Sequence, residues 1–346
     1  HPARGDLVAP PTWLHCVISC RYPVEPPVAI LWSPPCSSPD TLRTTRAALG
    51  FSFFTADPSL FLRTDTWLPP FYVLVYVNDL VLQRFGFQFS SPRPTPLSTG
   101  HSLSAPPSDE SVEPSDPYLE LVGCLMYLMT CTRPDLVYPL SLLVRYVAPG
   151  RHRKVHWDAA KRQLCYLCIT LGMGLVLGGR GRVVLTGHAD ASLVDDLATQ
   201  WSSEGYTFSL GSGSVSWRST LSSSVLSSHC EAEIYAGAMA AQELRWLTYL
   251  LTDLGEQPRS PPVLYVDNKA MIALCQEHRL EHRTKHIALR YFLAQELQLC
   301  GQLRLAYVAT RTNTADIFLK SLQPGDHQRF STVLGLVPTF PHLLIA

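Results

Sequence analysis

From residue 181 onward, β-type runs alternate with helical runs, and this order leaves few architectures open. The β-type runs are "RVVLTGHADAS", "GYTFSLGSGSVSWRS", "PVLYVDN" and "LRLAYVA". A long helical run, from about Glu231 to Leu251, separates the second of these from the third. Strands followed by a long helix and then by alternating units predict an α/β fold, with a mixed sheet flanked by helices.

The chain before residue 181 divides by composition. Residues 118–180 carry apolar residues at helical spacing and predict a helical segment. Residues 90–117 are rich in Pro and Ser and predict an extended linker. Residues 1–40 show no period and predict irregular or disordered chain. Between these parts the pattern predicts a short helix within 41–56 and strands at 59–63 and 71–77.

The stretch "VYVNDLVLQRFG" at 75–86 follows a β-branched and aromatic run. Its apolar residues on both sides of Asn78-Asp79 predict a strand, a tight turn and a returning strand. Two adjacent carboxylates at such a tip would form a metal site, but the first position here is Asn78. The stretch is therefore a complete metal turn, a damaged one, or only a turn.

Bulk composition limits the function classes. Lys+Arg and Asp+Glu both number 28, so net charge does not indicate a nucleic-acid partner, which has to be argued from local patches. The ten cysteines form no disulfide framework, and we expect reduced thiols in an intracellular protein of the cytoplasm or nucleus. No apolar run reaches the roughly 18 residues of a membrane span. Because the chain begins at His1, we expect its N-terminus to be that of a fragment or an imperfect gene model.

Four carboxylates lie at corners of the predicted elements after residue 181. Asp190 follows the strand "VVL", Glu233 opens the long helix, Asp267 ends the strand "VLYV", and Asp316 lies in the first turn of the last helix, after the possible cap residues Asn313 and Thr314. Acids crowded at one sheet edge repel unless cations bridge them. Oxygen ligands select Mg²⁺ or Mn²⁺, and two such ions catalyse phosphodiester cleavage.

Each acid alone has a simpler explanation. Asp316 is favoured by the helix dipole, Glu233 could be a solvated surface residue, and Asp267-Asn268 could be a turn. A second metal pattern, H-x3-H-x8-C-x2-C, is formed by His152, His156, Cys165 and Cys168. Because that segment is helical in pattern, ordinary helix positions explain these residues better than a zinc site does.

The flanking residues add a resemblance to a known family. The chain resembles the C-terminal part of the Pol polyprotein of copia-like LTR retrotransposons over about 41–83 and 92–337. The motifs that carry it are "LVGCLMYLMTCTRPDLVYPLSLL", "HWDAAKRQLCYL", "GHADAS", "CEAEIYA", "YVDNKAMIAL", "HRTKHIALRYF" and "TADIFLKSL", in the family's order. Several independent motifs in one order are far more specific than a single short pattern.

The resemblance implies a ribonuclease H-like fold, with a mixed five-stranded sheet, over residues 181–322. It implies that Asp190, Glu233, Asp267 and Asp316 bind two Mg²⁺ or Mn²⁺ ions and hydrolyse the RNA strand of an RNA–DNA hybrid. "CEAE" offers both Glu231 and Glu233, and the family's "EIYA" pattern favours Glu233. Ser192, Leu193, Ala288 and Ala309 depart from the family pattern without removing one of these ligands.

The resemblance also implies a nucleic-acid-binding segment and a damaged polymerase. Basic residues in "HRLEHRTKH" are expected to contact phosphates, namely Arg279, Arg283, Lys285 and His286, although a solvated helix face is the alternative. The family's polymerase turn carries two Asp residues where this chain has Asn78 and Asp79. Residues 41–89 are therefore expected to be a truncated reverse transcriptase remnant without polymerase activity, and residues 323–346 a C-terminal tail.

Two functions follow as hypotheses from this sequence. The first is a metal-dependent ribonuclease that acts on RNA–DNA hybrids, with nucleic acid as partner and without membrane or small-molecule cofactor. The second is a catalytically inactive retroelement relic, or at most a nucleic-acid-binding module. The intact carboxylates favour the first, whereas the incomplete polymerase part favours the second.

Overall fold

A computed structural model describes residues 52–53, 60–63, 71–74, 78–100, 103, 116–148, 150–177, 184–196, 201–222, 226, 228–254, 258, 260–276 and 288–338. The predicted disorder of 1–40 and the predicted helix in 41–56, apart from 52–53, lie outside these residues. The strands are β1 (Ser52–Phe53), β2 (Leu60–Arg63), β3 (Phe71–Leu74), β4 (Met173–Leu175), β5 (Leu185–Asp196), β6 (Trp201–Leu210), β7 (Gly213–Leu221), β8 (Val263–Val266), β9 (Arg304–Tyr307) and β10 (Leu336–Pro338).

The α-helices are α1 (Asn78–Phe85), α2 (Tyr118–Cys131), α3 (Val137–Leu143), α4 (Lys154–Ile169), α5 (His229–Asp253), α6 (Lys269–Gln276), α7 (Ala288–Leu299) and α8 (Pro324–Val333). Short 3₁₀ turns lie at Thr310–Thr312 and Thr314–Phe318. Within the described residues, no helix combines the length and apolar character that a bilayer span requires.

The large sheet has five strands in the order β7-β6-β5-β8-β9. β5, β6 and β7 pair antiparallel as a meander, and Gly211, at φ 73°, lies in the tight turn between β6 and β7. β8 and β9 add parallel to β5 after helical crossovers. An antiparallel meander extended by two parallel strands is the ribonuclease H-like arrangement, and the predicted mixed sheet is confirmed.

Helix α5 covers one face of this sheet. Its small residues Ala240 and Ala241 are fully buried beside Leu244, so the helix approaches the strands closely. On the sheet side, Ala189 and Phe208 belong to the same buried cluster. The long helix predicted from about Glu231 to Leu251 is confirmed, and it begins two residues earlier and ends two residues later. Its N-terminal end lies beside the middle of β5, which positions the site described below.

The opposite face of the sheet is covered by the helical segment and the turn at Thr314–Phe318. The indole nitrogen of Trp217 on β7 donates to the backbone oxygen of Met129 on α2, at 3.1 Å. A third buried cluster joins these parts, and its members are Val137, Ala315, Ile317, Phe318, Leu322, Phe330 and Leu334. The helical segment and the sheet therefore share a core, and the predicted division into domains at residue 181 stays a prediction.

The helical segment has its own core, to which part of the predicted linker contributes. Leu97 and Leu103 are buried among the helices, and the Nε2 atom of His156 hydrogen-bonds to the Leu103 carbonyl at 2.9 Å. Residues 90–100 form no helix or strand, as the proline content predicts. They lie against α4, where Arg93 donates its backbone N–H to Cys165 at 3.4 Å.

The prediction of a hairpin at 75–86 is wrong, because Asn78–Phe85 is an α-helix. Val81, Leu82 and Phe85 recur at helical spacing and pack into the core of the helical segment. Arg84, on the outer face, forms a 2.7 Å ion pair with Glu120 of α2. Tertiary burial of one helical face thus prevails over the β-type local pattern.

Part of the predicted C-terminal tail at 323–346 has regular structure. Residues 324–333 form α8, with Pro324 at the first turn, where its missing N–H costs nothing. β10 then pairs antiparallel with β4 at the end of the helical segment. The last helix predicted in "NTADIFLKSL" is only a 3₁₀ turn, and α8 is the last helix among the residues that the structure describes.

Candidate metal centre

Asp190 lies in the middle of β5 and is 4% exposed. Its Oδ1 atom accepts a hydrogen bond from the backbone N–H of Ala191 at 2.9 Å. Directly across the sheet from it lies Gly205, where a Cβ atom would come within 2.9 Å of the Cβ atom of Phe318. The absence of a side chain at Gly205 therefore lets the turn that carries Asp316 approach the sheet beside Asp190.

Glu233 reaches the same place from the start of α5. The helix is capped by Ser228, whose hydroxyl accepts from the backbone N–H of Glu231 at 3.2 Å. This fixes the first turns, and Glu233 lies 7% exposed with its Oε2 atom buried and without a hydrogen-bond partner. The structure thus separates the two candidate acids of "CEAE": Glu233 faces Asp190, whereas Glu231 does not join the cluster described next.

Asp267 completes a cluster of three acids. One ligand oxygen from each of Asp190, Glu233 and Asp267 lies within 4.8 Å of the others. Asp267 directly follows β8, the parallel neighbour of β5, so the end of one strand meets the middle of the next. The hydroxyl of Thr310 donates to the Oδ2 atom of Asp267 at 2.6 Å. This bond fixes the orientation of a carboxylate that is otherwise only partly buried.

Asp316 lies beside this cluster rather than within it. It belongs to the turn Thr314–Phe318, which Asn313 caps by accepting from the backbone N–H of Ala315 at 3.3 Å. Asn313 also donates to the backbone oxygen of Ala189 at 3.0 Å, which ties the turn to β5. The charge of Asp316 contributes to raising the pKa of Asp190, and the Oδ1 atom of Asp316 pairs with Lys320 at 2.7 Å. Three of the four predicted acids therefore converge, and the fourth, Asp316, lies beside them.

The electrostatics of the cluster are those of acids held together out of water. Burial, followed by the charges of Glu233 and Asp267, raises the pKa of Asp190 to about 10. Burial and the charge of Asp267 raise the pKa of Glu233 to about 8. Without a cation the cluster retains protons near neutral pH, and a divalent cation would replace them.

The residues fit a hard divalent cation. Every donor is a carboxylate oxygen, the ligand type that Mg²⁺ and Mn²⁺ prefer. The unpartnered Oε2 atom of Glu233 provides a buried acceptor that a cation would satisfy. Within the part of the chain that the structure describes, no other group of His, Cys, Asp and Glu side chains converges in this way.

The zinc pattern of the sequence analysis is not assembled. Both ring nitrogens of His156 are engaged, Nδ1 with the backbone N–H of Arg153 at 2.8 Å and Nε2 with Leu103. Cys165 and Cys168 occupy helix positions on α4, and the Cys168 thiol donates to the Gln88 carbonyl at 3.3 Å. The helical interpretation favoured from the sequence fits these contacts.

Two groups of predicted site residues lie away from the cluster. Arg279, Arg283, Lys285 and His286 lie outside the described residues, so their phosphate contacts stay a prediction. Asn78 lies in α1, where it is fully buried, and does not form the tip of a turn. Sequence reasoning missed Thr310 and Gly205, whose importance comes from what lies opposite them in space. The polar run "ATRTN" before Asp316 was the only local signal for Thr310.

Comparisons with known proteins show the family to which the chain belongs. No protein-family model matches the chain. It is 34% identical over 264 residues to "Retrovirus-related Pol polyprotein from transposon TNT 1-94" of Nicotiana tabacum, covering 75% of this chain and 20% of that protein. It is 35% identical over 266 residues to the corresponding polyprotein from transposon RE2 of Arabidopsis thaliana, covering 77% of this chain and 18% of that protein. The chain thus spans about a fifth of the length of these relatives.

Among solved structures, the chain is similar to LC11-RNase H1 in complex with RNA/DNA hybrid. The identity is 12% and the TM-score 0.30, with 39% of this chain and 93% of that chain covered. The strand order and directions of the sheet, rather than this low score, carry the assignment of the fold.

Proposed function

The chain belongs to the Pol polyproteins of copia-like retrotransposons, and we propose that it is a divalent-metal-dependent ribonuclease that hydrolyses the RNA strand of RNA–DNA hybrids. The observation that carries this proposal is the convergence of Asp190, Glu233 and Asp267, with ligand oxygens within 4.8 Å of one another. Four intact acids at the positions where the resemblance predicts them support catalysis over mere retention of the fold.

The ligands of the proposed centre are Asp190, Glu233, Asp267 and Asp316. Two Mg²⁺ ions bound there would supply an activated water and stabilise the departing oxygen. The chain itself orients the ligands. Thr310 fixes the Asp267 carboxylate, the Ala191 amide fixes that of Asp190, and Lys320 holds one oxygen of Asp316. The raised pKa values of Asp190 and Glu233 mean that cation binding displaces protons.

The proposed partner is an RNA–DNA hybrid, whose RNA strand differs from DNA by its 2′-hydroxyls. The phosphates of the hybrid would be contacted by a basic segment that follows Asp267 in the sequence. Its basic residues are Arg279, Arg283, Lys285 and His286. Since the net charge of the chain is zero, such a local patch has to supply the attraction to nucleic acid.

We expect no RNA-directed DNA polymerase activity. Asn78, at the position of a polymerase carboxylate in the resemblance, is fully buried in α1 and carries no charge for a cation. A buried amide packed in this way is a poor ligand for a divalent cation. This feature also supports the second hypothesis, a relic that has kept its fold and lost its chemistry.

The test is cleavage by the full chain of a labelled RNA–DNA hybrid with Mg²⁺, beside RNA and DNA duplexes of the same sequence. We expect cleavage of the hybrid's RNA strand alone, abolished by EDTA and by Asp190→Asn. Glu231→Gln, which alters a neighbouring acid on the same helix, is the matched control and should retain activity. Absence of metal-dependent cleavage, or equal cleavage by the Asp190→Asn variant, would establish the relic hypothesis instead.

A further inference from the structure

A buried ionic cluster, here called the Arg133 cluster, consists of Arg133, Asp135, Tyr166 and His327. The guanidinium of Arg133 donates to both carboxylate oxygens of Asp135, at 2.9 and 2.7 Å, and both residues are 1% exposed. Tyr166 donates its hydroxyl to the Asp135 Oδ2 atom at 2.6 Å. These three residues belong to the helical segment, before the large sheet begins.

His327 joins the cluster from α8, which follows the last strand of the large sheet in the sequence. Its ring meets that of Tyr166 edge-on, with centroids 5.3 Å apart, and it hydrogen-bonds to the backbone of Asp135. Ser331, one turn further along α8, donates its hydroxyl to the His327 carbonyl at 2.8 Å. The cluster therefore fixes α8 against the helical segment.

Helix α8 in turn supports two of the four acids. Arg329 donates to the backbone oxygen of Arg311 at 2.9 Å, next to Thr310, which holds Asp267. Phe330 and Leu334 pack against the apolar residues on both sides of Asp316, which are Ala315, Ile317 and Phe318. A continuous set of contacts thus runs from the Arg133 cluster through α8 to residues 309–318.

We propose that the Arg133 cluster positions the metal centre, because it holds α8 and thereby the segment 309–318 that brings Thr310 to Asp267 and Asp316 to Asp190. The four residues are positioning residues and touch no substrate. A buried ion pair adds little stability over apolar residues of the same volume, so the role we assign to the cluster is to specify one arrangement of α8 against the helical segment. The expected effect on catalysis rests on the proposed function, whereas the fixing of residues 309–318 through α8 does not.

The test compares two matched variants of the full chain, Tyr166→Phe and Tyr118→Phe. Each removes one buried tyrosine hydroxyl from the helical segment. Tyr166 loses its bond to Asp135, whereas Tyr118 loses a 2.8 Å bond to the Leu143 carbonyl, and neither Tyr118 nor Leu143 belongs to the Arg133 cluster. His327→Phe is a second test variant, since it keeps a ring against Tyr166 and removes the bond to Asp135.

Hydrogen exchange of residues 309–318 is the readout that does not depend on activity. We expect exchange there to become about fivefold faster in Tyr166→Phe and His327→Phe and to stay unchanged in Tyr118→Phe. The Mn²⁺ dissociation constant should rise about tenfold in the first two variants, with kcat lowered and KM for the hybrid retained.

Unchanged exchange at 309–318 in Tyr166→Phe, or the same change in Tyr118→Phe, overturns the positioning role. If the wild-type chain binds no Mn²⁺, the proposed function fails, and the exchange comparison still decides whether residues 309–318 are fixed through α8. The two failures are therefore distinguishable in one set of samples.

Discussion

The hydroxyl of Thr310 donates to the Oδ2 atom of Asp267 at 2.6 Å, across 43 residues of sequence. The bond connects the turn after β9 to the acid that ends β8, so two neighbouring parallel strands present their ends to one metal centre. One carboxylate oxygen of Asp267 lies within 4.8 Å of ligand oxygens of Asp190 and Glu233. A neutral hydroxyl thus orients one of the three converging carboxylates.

Loss of this bond should weaken cation binding. Thr310→Val keeps the shape of the side chain and removes the donor, so we expect the Mn²⁺ dissociation constant to rise about tenfold. Calorimetric titration of the metal-free protein with Mn²⁺ measures this dissociation constant. Thr310→Ser retains the hydroxyl and should bind nearly as the wild type does. Equal affinity of the Val variant would mean that Thr310 does not orient Asp267.

The two glutamates of "CEAE" should behave differently. Glu233→Gln removes a ligand oxygen of the cluster and should weaken Mn²⁺ binding by at least about tenfold. Glu231→Gln changes a residue two positions away on the same helix and should leave the affinity unchanged. Titration of both variants under one condition provides the comparison, and the reverse order of effects would mean that Glu231 rather than Glu233 binds the cation.

The metal-free protein should lose stability as the pH rises. Folding raises the pKa of Asp190 from 3.8 to about 10 and that of Glu233 from 4.5 to about 8, so the folded state binds more protons than the unfolded state between these values. The stabilisation is complete below the unfolded pKa values and is lost as the pH rises through the folded ones. We expect the Tm in EDTA to fall between about pH 5 and about pH 9.

Asp190→Asn should make this decline shallower, because the asparagine does not titrate. Added Mg²⁺ should raise the Tm of the wild type more at high pH than at low pH, since the cation displaces the retained protons. Thermal unfolding followed by circular dichroism gives both results. A Tm in EDTA that increases over this range would contradict the proton-holding cluster.

Asn78 offers a test of the helix that replaced the predicted hairpin. Its amide is fully buried, and neither the Oδ1 nor the Nδ2 atom has a partner. Asn78→Leu should therefore raise the free energy of unfolding by about 1 kcal/mol. Asn78→Asp should lower it by about 2 kcal/mol and restore no DNA synthesis, because it buries a charge without a partner.

Urea denaturation of the three proteins measures these changes. In an exposed hairpin tip, both substitutions would leave the free energy of unfolding nearly unchanged. Such a result would favour the turn over the helix Asn78–Phe85.

Much of the fold could be predicted because its elements have clear periods. The alternation in "RVVLTGHADAS" and the helical run after Glu231 each match an observed element closely. The terminal part was harder, since "TADIF" and "PGDHQRFSTV" have weak apolar patterns and become ordered through burial of Phe318 and Phe330 in a shared core. The prediction for Asn78–Phe85 was wrong for the same reason, because the surface against which this helix packs lies on α2 and α4.

The side chains that could bind a hard cation are visible in the sequence, since Asp190, Glu233, Asp267 and Asp316 stand at predicted element ends and in the order that the resemblance requires. Three further facts depend on how distant elements pack: Glu233 rather than Glu231 joins the cluster, Thr310 orients Asp267, and Asn313 reaches Ala189 across 124 residues. Local periodicity records which face of an element is apolar. Strand pairing and helix packing decide which distant polar groups come within hydrogen-bonding distance.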